Sequence, residues 1–122
     1  MRFDLVRPCG ECPFRSDREP FIEAARVREI LGDPAASGAS WFPSTSFACH
    51  KTVNYRRGAS GRVGAKSQHC AGVALVLVRD GVPNTAMQLA ERLLSWDAGR
   101  LDQSAPAYES RAAAIAAHED AP

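Results

Sequence analysis

No Asp or Glu occurs between Asp33 and Asp80 of this 122-residue chain. The middle of the molecule therefore offers no carboxylate pair for acid–base chemistry, and its few serines have no Asp/His arrangement beside them. No catalytic residue is assigned, and the reading leans away from an enzyme. Long apolar runs are missing as well: the longest, from Ala71 to Val78, is eight residues, against the ~18 that a membrane span needs. The opening Met1-Arg2-Phe3-Asp4-Leu5 carries no cleavage site behind an apolar stretch, so a cytoplasmic setting is expected, with no membrane partner. Internal repeats are absent. Acids being confined to the ends, the segment holding Lys51, Arg56, Arg57, Arg62, Lys66 and Arg79 is locally cationic although the net charge is only +1.

With 45% hydrophobic and 24% charged residues, the composition is that of an ordinary globular protein, and the length suits one domain spanning residues 1–122. Helix signals dominate. Pro20 suits a first helical turn, Phe21, Ile22, Ala25, Ile30 and Leu31 form an apolar stripe, and Gly32 is a stop, predicting a helix over 20–31. Residues 33–46 read as a loop in which Trp41 and Phe42 pack, and Phe47-Ala48-Cys49 as a short extended piece. The run 71–78 is too uniformly apolar for periodicity to separate strand from helix; its three valines favour strand, but helix is preferred. Asn84 or Thr85 caps a helix with Met87, Ala90, Leu93 and Leu94 inward, and Trp96 closes its packing. Ala-rich residues 107–118 predict a last helix with Tyr108, Ala112, Ile115 and Ala116 inward and His118 at the surface. A flexible loop is expected at about 56–68 and a frayed tail at about 119–122. The fold class is thus mainly α, a small irregular α(+β) domain of about four helices with short extended segments, organised around a metal site.

That site is expected from the four cysteines. Cys9 and Cys12 form a C-x2-C pair, a spacing that lets the backbone curl so that both sulfurs and nearby N–H groups face one ion. Cys49, followed by His50, and Cys70, preceded by His69, are single. Thiols of a reduced compartment more often hold metal than form disulfides. The competing readings are a redox-active dithiol, disfavoured because Pro13 and an Arg-rich turn follow Cys12, and plain core cysteines at 49 and 70. As ligands, Cys9, Cys12, Cys49 and Cys70 fit structural zinc, the preferred cofactor. The scattered third and fourth cysteines and the Cys12-Pro13 step keep a 4Fe–4S cluster as the alternative. His50 and His69 are possible alternative ligands or hydrogen-bond donors to a cysteine sulfur.

The combination Pro8-Cys9-x-x-Cys12-Pro13-Phe14-Arg15, Cys49-His50-Lys51-Thr52 and Cys70-Ala71-Gly72 resembles an uncharacterised family of small bacterial and phage proteins, a domain of unknown function. Its pattern is C-x2-C-P-[FW]-R, then C-H, then C-A-G, followed by a helix with an early Asn to which Asn84 corresponds. The resemblance implies a shared cysteine site and carries no reaction. The Arg/Gly/Ser-rich stretch between His50 and Cys70 departs from it.

Two functions from different classes follow. The first is a zinc-stabilised, non-enzymatic interaction module that binds a protein or nucleic acid; the second is an iron–sulfur protein with a redox or sensing role. Nucleic-acid binding through the basic loop 51–66 is a further alternative. There Lys51, Arg56, Arg57, Arg62 and Lys66 would contact phosphates and Tyr55 would stack on a base. The competing reading is a solvated loop whose cations offset the negative charge of the metal site.

Overall fold

The computed structural model describes residues 1–52 and 67–120. Among them are four α-helices, α1 (Ala24–Leu31), α2 (Ala71–Asp80), α3 (Thr85–Leu93) and α4 (Arg111–Glu119), with three short 3₁₀ turns. The class is mainly helical, as the sequence predicts, and the buried apolar residues form one cluster.

The centre of that cluster is α2. Every residue from Ala71 to Leu77 is buried, which explains why the segment shows no amphipathic period: a helix surrounded on all sides has no solvent face to mark. It begins at Cys70, in extended conformation, and ends at Gly81, whose left-handed backbone (φ 75°, ψ 21°) returns its N–H to the carbonyls of Leu77 and Val78. The left-handed Gly81 turn that closes its C-terminus is a helix stop, and it favours helix over the strand that three valines suggest.

α4 packs against α1 and α2. Its inward residues are Arg111, Ala114, Ile115 and His118, whereas Ala112 and Ala116 are exposed. In an alanine-rich helix the small residues do not mark a face, so the register was set by the larger side chains. His118, expected at the surface, is 4% exposed, with Nδ1 2.8 Å from the Ala114 carbonyl oxygen and its ring edge-on to Tyr108. Arg111 is 2% exposed. Its Nε donates to Asp80 Oδ2 at 2.6 Å, its Nη1 to the Trp41 carbonyl at 2.5 Å, and its guanidinium lies 4.5 Å above the Trp41 ring. This clasp joins α4 to the end of α2 and to the loop after α1. Gly32 (φ 81°) permits the approach of that loop, since a Cβ there would stand 2.5 Å from the Trp41 carbonyl oxygen.

Three expectations shift. α1 starts at Ala24 rather than Pro20, with Glu23 still extended; the fixed φ of proline suits extended chain as readily as a first helical turn. Phe21 is consequently 58% exposed, as is most of Phe42. In α3, Met87 and Ala90 are buried, but Leu93 and Leu94 are exposed; the chain turns at Ser95 (φ 54°), and Trp96 takes the inward place against Phe3. The tail is ordered further than expected: Glu119 lies in α4 and pairs with Arg28.

Candidate metal centre

Three chain segments converge beneath the N-terminus of α2. Residues 67–70 run between two extended pieces, bridging Arg2 in parallel to Gln68 and Ala48 in antiparallel to His69. The ladder is short but complete: Arg2 N–H to Ser67 C=O (2.7 Å), His69 N–H to Arg2 C=O (2.9 Å), Cys49 N–H to Gln68 C=O (2.7 Å) and Cys70 N–H to Phe47 C=O (2.8 Å). Its register pairs Cys49 with Gln68 and Cys70 with Phe47, which brings the two cysteine-bearing segments into one short ladder. Ser67 and Gln68, assigned to the mobile loop from sequence, are thus the last rungs of this ladder. Lys51 is exposed, 3.7 Å from Glu11; Tyr55, Arg56, Arg57, Arg62 and Lys66 lie outside the described residues.

The C-x2-C turn arrives from the other side. Cys12 N–H bonds the Cys9 carbonyl at 3.1 Å and Arg15 N–H bonds the Cys12 carbonyl at 3.2 Å, curling both thiols towards α2. Pro13 and Phe14 behind them are buried, and Phe14 packs edge-on against Phe47. Cys12 Sγ then stands 3.6 Å from Cys70 Sγ, while the Cys9 thiol interacts electrostatically with both Cys49 and Cys12. All four sulfurs are free thiols. Among the described residues no group of three or more His, Cys, Asp or Glu is arranged to hold a metal ion; the sulfurs in direct contact are those of Cys12 and Cys70.

One residue quoted in the sequence motif acquires a role only here. A Cβ on Gly72 would lie 2.6 Å from Cys12 Sγ and 3.1 Å from Phe14 Cβ, so only glycine lets the Cys12 sulfur reach the first turn of α2. There the backbone N–H of Gly72 faces it. The donated Cys70 hydrogen bond, chiefly, then the N–H groups of Phe14 and Gly72 and the Arg15 charge, hold the Cys12 thiol below its ordinary pKa against the opposing effect of burial. Cys70 moves the other way, raised well above its ordinary value by that same hydrogen bond and by burial. Cys9 is raised by burial, with the Glu11 N–H working against it. A buried cluster of thiols with helix N–H donors aimed at it is an environment suited to thiolate ligands.

His69 is not free to be a ligand. Asn84 Oδ1 accepts from Met87 N–H (2.8 Å), capping α3, which turns Asn84 Nδ2–H towards His69 Nε2 at 2.9 Å. Nε2 therefore accepts, and Nδ1 carries the proton and donates to the Cys70 carbonyl at 3.0 Å. Burial lowers the His69 pKa to about 4, and the ring stacks on Phe3 at 5.0 Å. A neutral histidine thus ties the cap of α3 to the residue that opens α2. His50 is different: it follows Cys49 in a 3₁₀ turn, is partly exposed, and places Nε2 3.9 Å from Cys9 Sγ and 4.0 Å from Glu11. Comparison with family models, curated proteins and solved structures finds no match for the chain.

Proposed function

We propose that this chain is a small zinc-held interaction module without a reaction of its own, with Cys9, Cys12, Cys49 and Cys70 as the ligands and a protein or nucleic acid as the partner. The observation that carries the reading is the 3.6 Å between Cys12 Sγ and Cys70 Sγ, with the Cys9 thiol interacting electrostatically with Cys12 and Cys49. A tetrahedron with ~2.3 Å Zn–S bonds has sulfur–sulfur edges of roughly 3.8 Å. A 4Fe–4S cluster puts each cysteine on a different iron and so spreads the sulfurs further apart. The spacing therefore favours a single ion over the cluster.

The donor chemistry agrees. Four thiols, three of them buried, with backbone N–H groups directed at them, suit a soft divalent ion. Bound there, zinc would supply a cross-link among the three segments that carry the cysteines, and His50 would donate a hydrogen bond to Cys9 from outside the ligand set. Anaerobic purification followed by metal analysis and a visible spectrum tests the reading. One zinc per chain and no visible absorption is the expected result; a brown protein with iron and sulfide would replace it with the cluster.

A further inference from the structure

His118 carries the one buried side-chain nitrogen or oxygen that has no hydrogen-bond partner among the described residues, its Nε2. The residue is 4% exposed, and its Nδ1 lies 2.8 Å from the Ala114 carbonyl oxygen. A carbonyl only accepts, so Nδ1 holds the proton, and in the neutral ring Nε2 is a lone pair with nothing to receive. Buried polar atoms are satisfied in the great majority of cases, and an orphan of this kind marks a place where a donor is missing.

The surroundings define that donor. His118 lines an open cleft of about 480 Å³ between the segment before α1 and the end of α4. The cleft's carboxylates are Glu23 and Glu119, and no Lys or Arg lines it among the described residues. Glu119 already pairs with Arg28. Glu23 makes no side-chain cap bond at the start of α1 and joins no ion pair among the described residues. Phe21, more than half exposed, adds an aromatic ring to the same cleft. A free carboxylate, a lone pair and an exposed ring match a planar cation with several N–H donors.

We propose that this cleft binds the guanidinium of an arginine side chain on a partner protein, with one N–H on Glu23, another on His118 Nε2 and the planar face against Phe21. The rigid fork of guanidinium donors serves two acceptors at once, whereas a lysine ammonium has no planar face. Because the cleft is open, the cation is held by a partner that brings further contacts with it rather than as a free small molecule. Reaching Nε2 requires the wall to yield, and the backbone of Pro20, Phe21 and Ile22 takes part in no hydrogen bond among the described residues, so that segment shifts without breaking one. No cysteine lines the cleft, and the proposal stands apart from the zinc reading.

The test is an NMR titration of the full, isotopically labelled chain with capped Ala-Arg-Ala peptide, its citrulline and lysine counterparts, and methylguanidinium. Saturable shifts of the His118 ring nitrogens and the Glu23 amide with the arginine peptide are expected, with binding at least about tenfold weaker for citrulline, which keeps the shape and loses the charge. Glu23→Gln and Phe21→Ala, both at exposed positions, should each weaken arginine binding roughly threefold to tenfold and leave the circular dichroism unchanged. A His118 ring that does not move at tens of millimolar peptide overturns the site, as does arginine binding that both substitutions leave intact. Equal binding of the citrulline or lysine peptide overturns the guanidinium, and methylguanidinium binding as tightly as the peptide overturns the partner protein as its source. A chain that binds the arginine peptide but purifies without zinc overturns the zinc reading alone.

Discussion

Gly72 decides the site at the scale of a single hydrogen atom. Any β-carbon there would press into Cys12 Sγ at 2.6 Å with Phe14 Cβ just behind at 3.1 Å, and both belong to buried side chains next to the main chain rather than to flexible tips. Gly72→Ala is expected to cost ~1–3 kcal/mol, the usual penalty of overpacking, and to weaken zinc binding; thermal melting and metal stoichiometry of the purified variant check both. Arg111 is the opposite case, a large polar residue that sequence patterning alone assigns to no interior. Substituting it with Met keeps the volume but leaves Asp80 and the Trp41 carbonyl without their donor. Since hydrogen bonds to charged groups contribute ~1.5–3 kcal/mol each, and Asp80 is still partly solvated, a loss of roughly 2–4 kcal/mol in a urea melt is expected. An unchanged midpoint would show that the clasp is ornamental.

Among the elements, α2 and α3 are joined less by packing than by the chain of hydrogen bonds from Met87 N–H through Asn84 and His69 to the Cys70 carbonyl. Two substitutions at Asn84 separate its duties. Asn84→Asp keeps an acceptor for the α3 cap but cannot donate to His69, while Asn84→Ala loses both contacts. The cap alone is worth ~0.5–2 kcal/mol, so Ala should destabilise more than Asp. Both should alter the environment of the His69 ring, visible in its NMR shifts, if the relay holds. Equal stability for the two variants would mean that the cap contributes nothing. An Asn before a helical run is a legible cap signal, and of the two residues the sequence offers, Asn84 and Thr85, the structure uses Asn84; its second partner, fifteen residues earlier, has no sequence signature at all.

For the whole molecule the expected coupling is between metal and fold. Among the described residues the extended segments around the cysteines share only two isolated bridges and a handful of ladder bonds, beside the packing of Phe14 and Phe47. Structural zinc supplies ~10–16 kcal/mol of apparent binding energy in small domains, comparable with the ~5–15 kcal/mol by which most domains are stable. Stripping the ion with a strong chelator should therefore lower the melting temperature sharply and reduce helical circular dichroism. Unchanged spectra and melting would show that the fold holds itself together without it.

The sequence by itself determined the mainly helical class and narrowed the α3 cap to Asn84 or Thr85, because these rest on local signals such as helical periodicity and capping side chains; for residues 71–78 it only preferred helix over strand. It also placed the last helix near its true limits. Only the tertiary structure decided which residues face inward where the local signal is degenerate. In α4 the many alanines fit every register, so Arg111 and His118 could enter the core unannounced; at the end of α3 a turn at Ser95 handed the interior to Trp96 instead of Leu93 or Leu94. The approach of Cys12 Sγ to Cys70 Sγ was likewise beyond the sequence. It depends on the register of Ala48 against His69 and on the absence of a side chain at residue 72, and those are relations between segments that only folding brings into contact.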